Sequence, residues 1–158
     1  MRGDCVRSIR FACRALIALT PDEIVEEILD LDNWPAFQGY GPLPGIRSAE
    51  FEVQTPHLVG TRIRVTNLDG STHVEEIVEW QPDRLLRLRM HEFSLPVSRL
   101  ATEFMETWEF QPDGGETRVV RHFELHAKSL VAWPILWLIS SPLKRAVARH
   151  LSQMIRQT

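Results

Sequence analysis

The chain has 158 residues, of which 44% are hydrophobic and 25% charged, and its formal net charge is −3. This length suffices for one domain, residues 1–158, that buries a sizeable core. The slightly negative charge gives no general attraction to nucleic acid. The apolar run at 130–139 is too short to cross a membrane, because a spanning helix needs about twenty residues.

The two cysteines, Cys5 and Cys13, predict no disulfide. If they share a strand, their separation along the chain places them roughly 26 Å apart, beyond the reach of a disulfide bond. The basic N-terminus lacks the uninterrupted apolar run and the small-residue cleavage site of a signal peptide. Two reduced thiols and no export signal indicate a cytoplasmic protein.

The N-terminal part of the chain predicts one strand followed by two short helices. Residues 5–17 alternate between two faces, as in a half-buried strand. Thr20 can cap a helix whose first position is a proline and that ends near Asp30. A second short helical turn carries Trp34, and the glycines and prolines of 39–45 then form a loop.

After this loop the apolar pattern has a period of two and predicts six strands in series. Short turns such as Asp69–Gly70 separate them, so neighbouring strands pair antiparallel. The six segments lie approximately at 49–53, 62–65, 71–80, 86–90, 102–111 and 116–127. Together with the first strand they predict an antiparallel sheet of about seven strands, and the fold class is α+β.

The remaining residues predict a long C-terminal helix. Four apolar residues recur at steps of four, four and three, so they share one side: Leu143, Val147, Leu151 and Met154. Pro142 removes one backbone hydrogen bond, and Ser141 can cap a new helix, so a break or kink is expected between Ile139 and Leu143. Residues 133–139 are apolar in every direction, which predicts that this segment is only partly buried.

Four segments, in this order and spacing, are similar to those of a known superfamily. They are the entry into the first helix at 19–25, the Asp-Trp-aromatic turn at 32–37, the glycine turn at 59–61 and the last hairpin at 108–118. On these residues nearly the whole chain resembles the START-like helix-grip superfamily, the polyketide cyclase/dehydrase and lipid-transport group. The resemblance implies a curved sheet wrapped around the C-terminal helix, with a cavity between them for a lipid, polyketide or other apolar ligand. This superfamily includes both carriers and enzymes, so the fold leaves the activity open.

Three charged residues fall on strand faces whose other members are apolar: Glu76, Glu106 and Arg121. A charge among such neighbours needs a partner or a solvated cavity, unless the twist or the ends of the sheet let it reach water. A hairpin turn at Asp113–Gly114 sets Glu106 directly opposite Arg121. We therefore predict a Glu106–Arg121 pair that lines the cavity, with Glu76 as a third member.

The candidate ligand-binding residues combine this polar group with apolar residues expected at the cavity or its mouth. They are Glu76, Met90, Phe104, Glu106, Trp108, Arg121, Trp133 and Trp137. No cofactor or metal is expected, because His122, Glu124 and His126 share a strand face that points to solvent, and no further ligand accompanies them. No nucleophile elbow, cysteine–histidine pair or phosphate loop is recognisable, so catalytic residues stay unassigned.

Three functional hypotheses remain. The first is a protein that binds a small hydrophobic ligand for transport or sensing. The second is a cyclase or dehydratase that uses a cavity carboxylate, Glu76 or Glu106, as its acid–base group. The third is an interaction module in which the apolar segment 130–139 binds a protein partner or a second copy of the chain. Trp133 or Trp137 is expected to lie at a cavity mouth, a dimer contact or a membrane-facing edge. A nucleic-acid partner is not expected, because the aromatic residues lie on inward faces.

Overall fold

The computed structural model describes residues 8–156. Seven strands form one open, curved, antiparallel sheet, and a long helix, α2 at Ala132–Arg156, packs against one face of it. The strands are β1 Ser8–Ile17, β2 Ile46–Val53, β3 Arg62–Asn67, β4 Thr72–Gln81, β5 Leu85–His91, β6 Ala101–Asp113 and β7 Glu116–Ala127. Their spatial order is β1-β7-β6-β5-β4-β3-β2, which confirms the predicted α+β meander.

The segment between β1 and β2 crosses from one edge of the sheet to the other, since these consecutive strands form the two edges. It contains helix α1 at Pro21–Leu29 and a 3₁₀ turn at Leu31–Ala36, which confirms the two short helices. Thr20 caps α1, and Glu23 bonds back to the Thr20 backbone N–H at 2.8 Å. The Trp34 indole N–H donates to the Ile28 carbonyl at 2.7 Å and ties the turn to α1.

Helix α2 buries the predicted apolar stripe. Its side chains at Leu143, Val147 and Leu151 are almost inaccessible and join the core formed with the covered face of the sheet. The predicted break is wrong, because the helix runs without interruption through Pro142. The carbonyl of Leu138 loses its bond there, but Leu138 is exposed and water can solvate that group. A kink at this point, the milder form of the expectation, stays a prediction.

The β6–β7 hairpin has a different register from the predicted one. Its turn is Gly114–Gly115, with Asp113 paired to Glu116, instead of Asp113–Gly114. Both glycines have positive φ, +59° and +93°, as a two-residue hairpin turn of this kind requires. The pairing is displaced by two residues, so Trp108 and not Glu106 lies directly opposite Arg121. A displacement by two preserves the face of every side chain.

Two further expectations concern the cysteines and membrane crossing. Cys5 lies outside the described residues, and Cys13 is a buried free cysteine of β1. Within residues 8–156 no helix is both long enough and apolar enough to cross a membrane.

Candidate functional site

A cavity of about 380 Å³ lies between the sheet and α2. Most of its wall is apolar and includes Trp34, Phe37, Leu88, Met90, Phe93, Phe104, Trp108, Phe123, Leu143 and Val147. Exposed residues of three loops also border it, namely Pro42, Asp69 and Pro96. These loops precede β2, join β3 to β4 and join β5 to β6, so the cavity opens at that end of the sheet.

Glu106 on β6 and Arg121 on β7 form an ion pair in the wall of the cavity. The residues are only 3% and 6% exposed. Nε of Arg121 donates to Oε1 of Glu106 at 2.8 Å, and Nη2 donates to the same oxygen. The guanidinium also lies 4.1 Å from the ring centroid of Trp108. The predicted pair is confirmed, although the register that suggested it is wrong.

His150 on α2 extends this pair into a group of three side chains. Nη1 of Arg121 lies 3.2 Å from Nδ1 of His150. Because a guanidinium can only donate, Nδ1 is the acceptor, and the neutral imidazole holds its hydrogen on Nε2. Burial, together with the Arg121 charge, lowers the pKa of His150 to about 3. The ring is therefore neutral at pH 7 and offers an N–H donor at the cavity wall.

The protonation of Glu106 depends on Arg121. Burial raises the pKa of Glu106 above its ordinary value, Arg121 opposes that shift, and the charge of Glu75 adds to it. Two charge-assisted hydrogen bonds to Oε1 stabilise the ionised form of the carboxylate. Without the guanidinium, the carboxyl would be buried and uncompensated, and it would take up a proton.

A second polar pair, His73 and Glu75 on β4, borders the same cavity. Glu75 is 7% exposed, and its Oε1 lies 3.1 Å from Nε2 of His73. The prediction for Glu76 is wrong: this residue points to the opposite face of the sheet, where it lies 3.1 Å from His91 and 3.6 Å from Arg62. The cause is a register shift between Ile77 and Glu79, which reverses the faces of the residues before it.

The structure brings together five of the eight predicted ligand-binding residues. Met90, Phe104, Glu106, Trp108 and Arg121 all border the cavity. Glu76, Trp133 and Trp137 do not. Trp133 packs partly against the core, and its indole N–H has no acceptor within the described residues, whereas Trp137 is 55% exposed. Direct contact of any of these residues with a ligand stays a prediction.

Sequence reasoning missed polar residues of the cavity, and three of them belong to the hydrogen-bonded groups described above: His73, Glu75 and His150. His150 had a readable signal, because it lies seven residues after Leu143 and so falls on the apolar side of α2. His73 and Glu75 had none, because a strand with an undetected bulge assigns them to the solvent face.

A curved antiparallel sheet that grips a long C-terminal helix over an apolar cavity defines the helix-grip class of proteins. Residues 8–157 match the family described as "Polyketide cyclase / dehydrase and lipid transport". The chain therefore belongs to this family, as its sequence motifs indicated. No curated protein matches it significantly in sequence.

Solved structures share the fold at low sequence identity. The Zhui aromatase/cyclase from Streptomyces sp. R1128 has a TM-score of 0.69 at 13% identity, and the match covers 95% of this chain and 93% of that one. Norcoclaurine synthase from Thalictrum flavum, in complex with dopamine and hydroxybenzaldehyde, has a TM-score of 0.64 at 18% identity, with 99% and 94% covered. A START superfamily protein from Mycobacterium smegmatis has a TM-score of 0.62 at 10% identity, with 92% and 98% covered.

Proposed function

We propose that this protein binds a small hydrophobic ligand, such as a lipid or a polyketide, in the cavity for transport or sensing. The observation that supports this most directly is an apolar cavity of about 380 Å³ with a buried polar group in its wall. Ligand sites have this composition in general, because apolar walls supply affinity and a few polar groups fix orientation. A cytoplasmic location also stays a prediction, to which the free thiol of Cys13 adds support.

The polar group would orient one end of the ligand. Arg121 directs its donors to Glu106 and His150, so it is largely satisfied within the protein. The Nε2–H of His150 is the donor that a ligand carbonyl or hydroxyl would meet. Glu75 supplies an acceptor elsewhere in the cavity, where a ligand hydroxyl could donate. We therefore propose a mainly apolar ligand with at least one carbonyl or hydroxyl group.

Native mass spectrometry of the protein purified from its own host tests this proposal. We expect a mass increment of one small molecule that extraction into organic solvent removes. Val147→Phe should abolish the increment, because Val147 is buried in the cavity wall and a phenyl ring would occupy the cavity. Val53→Phe, the same substitution at a position that is 46% exposed on β2, is the matched control and should retain the ligand.

A protein from the host with no retained molecule, and no uptake from lipid extracts or polyketide mixtures, would refute the proposal. A Val147→Phe variant that folds and still retains the molecule would show that the ligand binds outside the cavity. The role of the polar group is tested by Glu106→Gln, which should lower stability, because the buried Arg121 charge loses its counter-charge, and should weaken ligand binding by the molecules that stay folded. Its control is Glu109→Gln on the same strand, where the side chain is 55% exposed.

A second candidate function is a cyclase or dehydratase in which a cavity carboxylate acts as the acid–base group. The His73–Glu75 pair favours this candidate, since Glu75 is buried at the cavity wall and holds a hydrogen bond to an imidazole. Glu106 suits the role less well, because Arg121 occupies it. An enzyme of this kind should lose product formation in Glu75→Gln while it still binds its substrate. Unchanged turnover in that variant would exclude Glu75 as the acid–base group.

A further inference from the structure

The segment that leads into α2, together with its first turns, exposes a cluster of large apolar side chains. This apolar patch consists of Leu130, Val131, Ile135, Trp137 and Leu138, whose exposed fractions range from 48% to 81%. The sequence predicted partial burial for residues 133–139, which include Ile135, Trp137 and Leu138. Single exposed apolar residues are ordinary, but five within nine residues of the chain form a patch that a monomer rarely leaves uncovered.

The same face of α2 becomes basic beyond the apolar patch. Lys144 and Arg145 lie seven residues after Trp137 and Leu138, that is, about two turns further along the same side. Arg149 follows on this side, and all three basic residues are exposed. Residues 127–158 contain five Lys or Arg and no Asp or Glu, in a chain whose net charge is −3.

We propose that this face of α2 docks on the surface of a membrane that contains anionic lipid. The apolar side chains would enter the boundary between headgroups and acyl chains, and the basic residues would contact the anionic headgroups. An exposed tryptophan suits this position, because its ring has both an apolar body and a polar N–H. Since no described helix can cross a membrane, the helix would lie along the surface.

The charge distribution favours a lipid surface over a second copy of the chain. In a two-fold dimer the same patch faces itself, and this patch offers no acidic residue as a partner for Lys144, Arg145 and Arg149. The position in the fold also suits docking, because α2 begins at the end of the sheet where the cavity opens. Ile139 and Pro142, directly after the apolar patch, border the cavity. The inference does not depend on the proposed ligand.

Co-sedimentation of the full chain with vesicles tests the docking. The vesicles are phosphatidylcholine alone, or phosphatidylcholine with phosphatidylserine, each at low and at high salt. We expect binding to the anionic vesicles that weakens at high salt. Leu138→Ser should reduce the partition coefficient about fivefold or more. Arg149→Glu should reduce it about fivefold or more on anionic vesicles only.

Two matched substitutions on the outer face of β1 are the controls. Leu16→Ser changes a leucine that is 47% exposed, and Arg14→Glu reverses an exposed charge. Both should leave vesicle binding unchanged. No binding at low salt, equal binding to neutral and anionic vesicles, or an equal loss in the controls would overturn the proposal. The proposal would also be overturned if the chain did not bind vesicles but formed a concentration-dependent dimer in analytical ultracentrifugation that Leu138→Ser abolishes.

Discussion

Replacement of Arg121 by methionine should destabilise the protein much more at pH 7 than at pH 5. The substitution keeps most of the side-chain volume but removes the guanidinium that bonds Glu106 at 2.8 Å. Removal of one partner from a buried ion pair typically costs about 3 to 5 kcal/mol, because the other charge stays buried without compensation. The contact of the guanidinium with the Trp108 ring is lost as well.

Protonation of Glu106 limits the cost of the stranded charge. An ordinary glutamate has a pKa of 4.5, so its protonation at pH 7 costs about 3.4 kcal/mol, at about 1.36 kcal/mol per pH unit. At pH 5 the same step costs about 0.7 kcal/mol. In the variant the folded pKa lies above the unfolded one, so stability falls as the pH rises through that window. In the wild type Arg121 opposes the same upward shift, so we expect a loss of about 3 to 5 kcal/mol at pH 7 that is smaller at pH 5, by up to about 2 to 3 kcal/mol.

Urea denaturation of the wild type and the variant at both pH values measures these losses. Arg118→Met is the matched control, since Arg118 lies on the same strand and its pair with Asp113 is exposed, at 66% and 59%. It should cost less than about 1 kcal/mol at either pH. A similarly small cost for Arg121→Met at pH 7, or a cost that does not shrink at pH 5, would refute the assignment of a buried, charge-compensated pair.

Three further predictions test other parts of the structure by urea denaturation. The pKa of His150 is about 3 in the folded protein and ordinarily 6.5. The neutral ring therefore contributes fully to the free energy of unfolding above pH 6.5, and this contribution is lost as the pH falls. Between pH 7 and pH 5 this loss should be about 2 kcal/mol, and His150→Asn should remove most of it; equal slopes would contradict the neutral, buried ring. Pro142→Ala should raise the free energy of unfolding by about 1 to 3 kcal/mol by restoring a helix hydrogen bond, and no gain would argue against a continuous α2. Gly115→Ala, at a φ of +93°, should lower the free energy of unfolding by about 1 kcal/mol or more, whereas Gly114→Asn, at +59°, should be tolerated. Equal effects of the two substitutions would be inconsistent with the Gly114–Gly115 turn.

The order and type of the elements could be predicted because they depend on local patterns. Alternation along β1 and the six later strands reports one buried face, and Thr20 with its following proline marks the start of α1. The stripe from Leu143 to Met154 likewise identifies the buried side of α2. The Glu106–Arg121 pair could be predicted for the same reason, since an error of two residues in register leaves both side chains on one face.

The sequence by itself therefore determined the order, type and approximate position of these elements and, on regular strands and helices, which residues face inward. The tertiary structure decided the rest of the site. Because of a bulge in β4, Glu75 and not Glu76 faces the cavity. The packing of α2 brings His150 to Arg121, which is 29 positions away in the chain. Packing also holds α2 continuous through Pro142. Periodicity encodes the face of a side chain within one element, whereas bulges, register and contacts between elements depend on the free energy of the whole packed core.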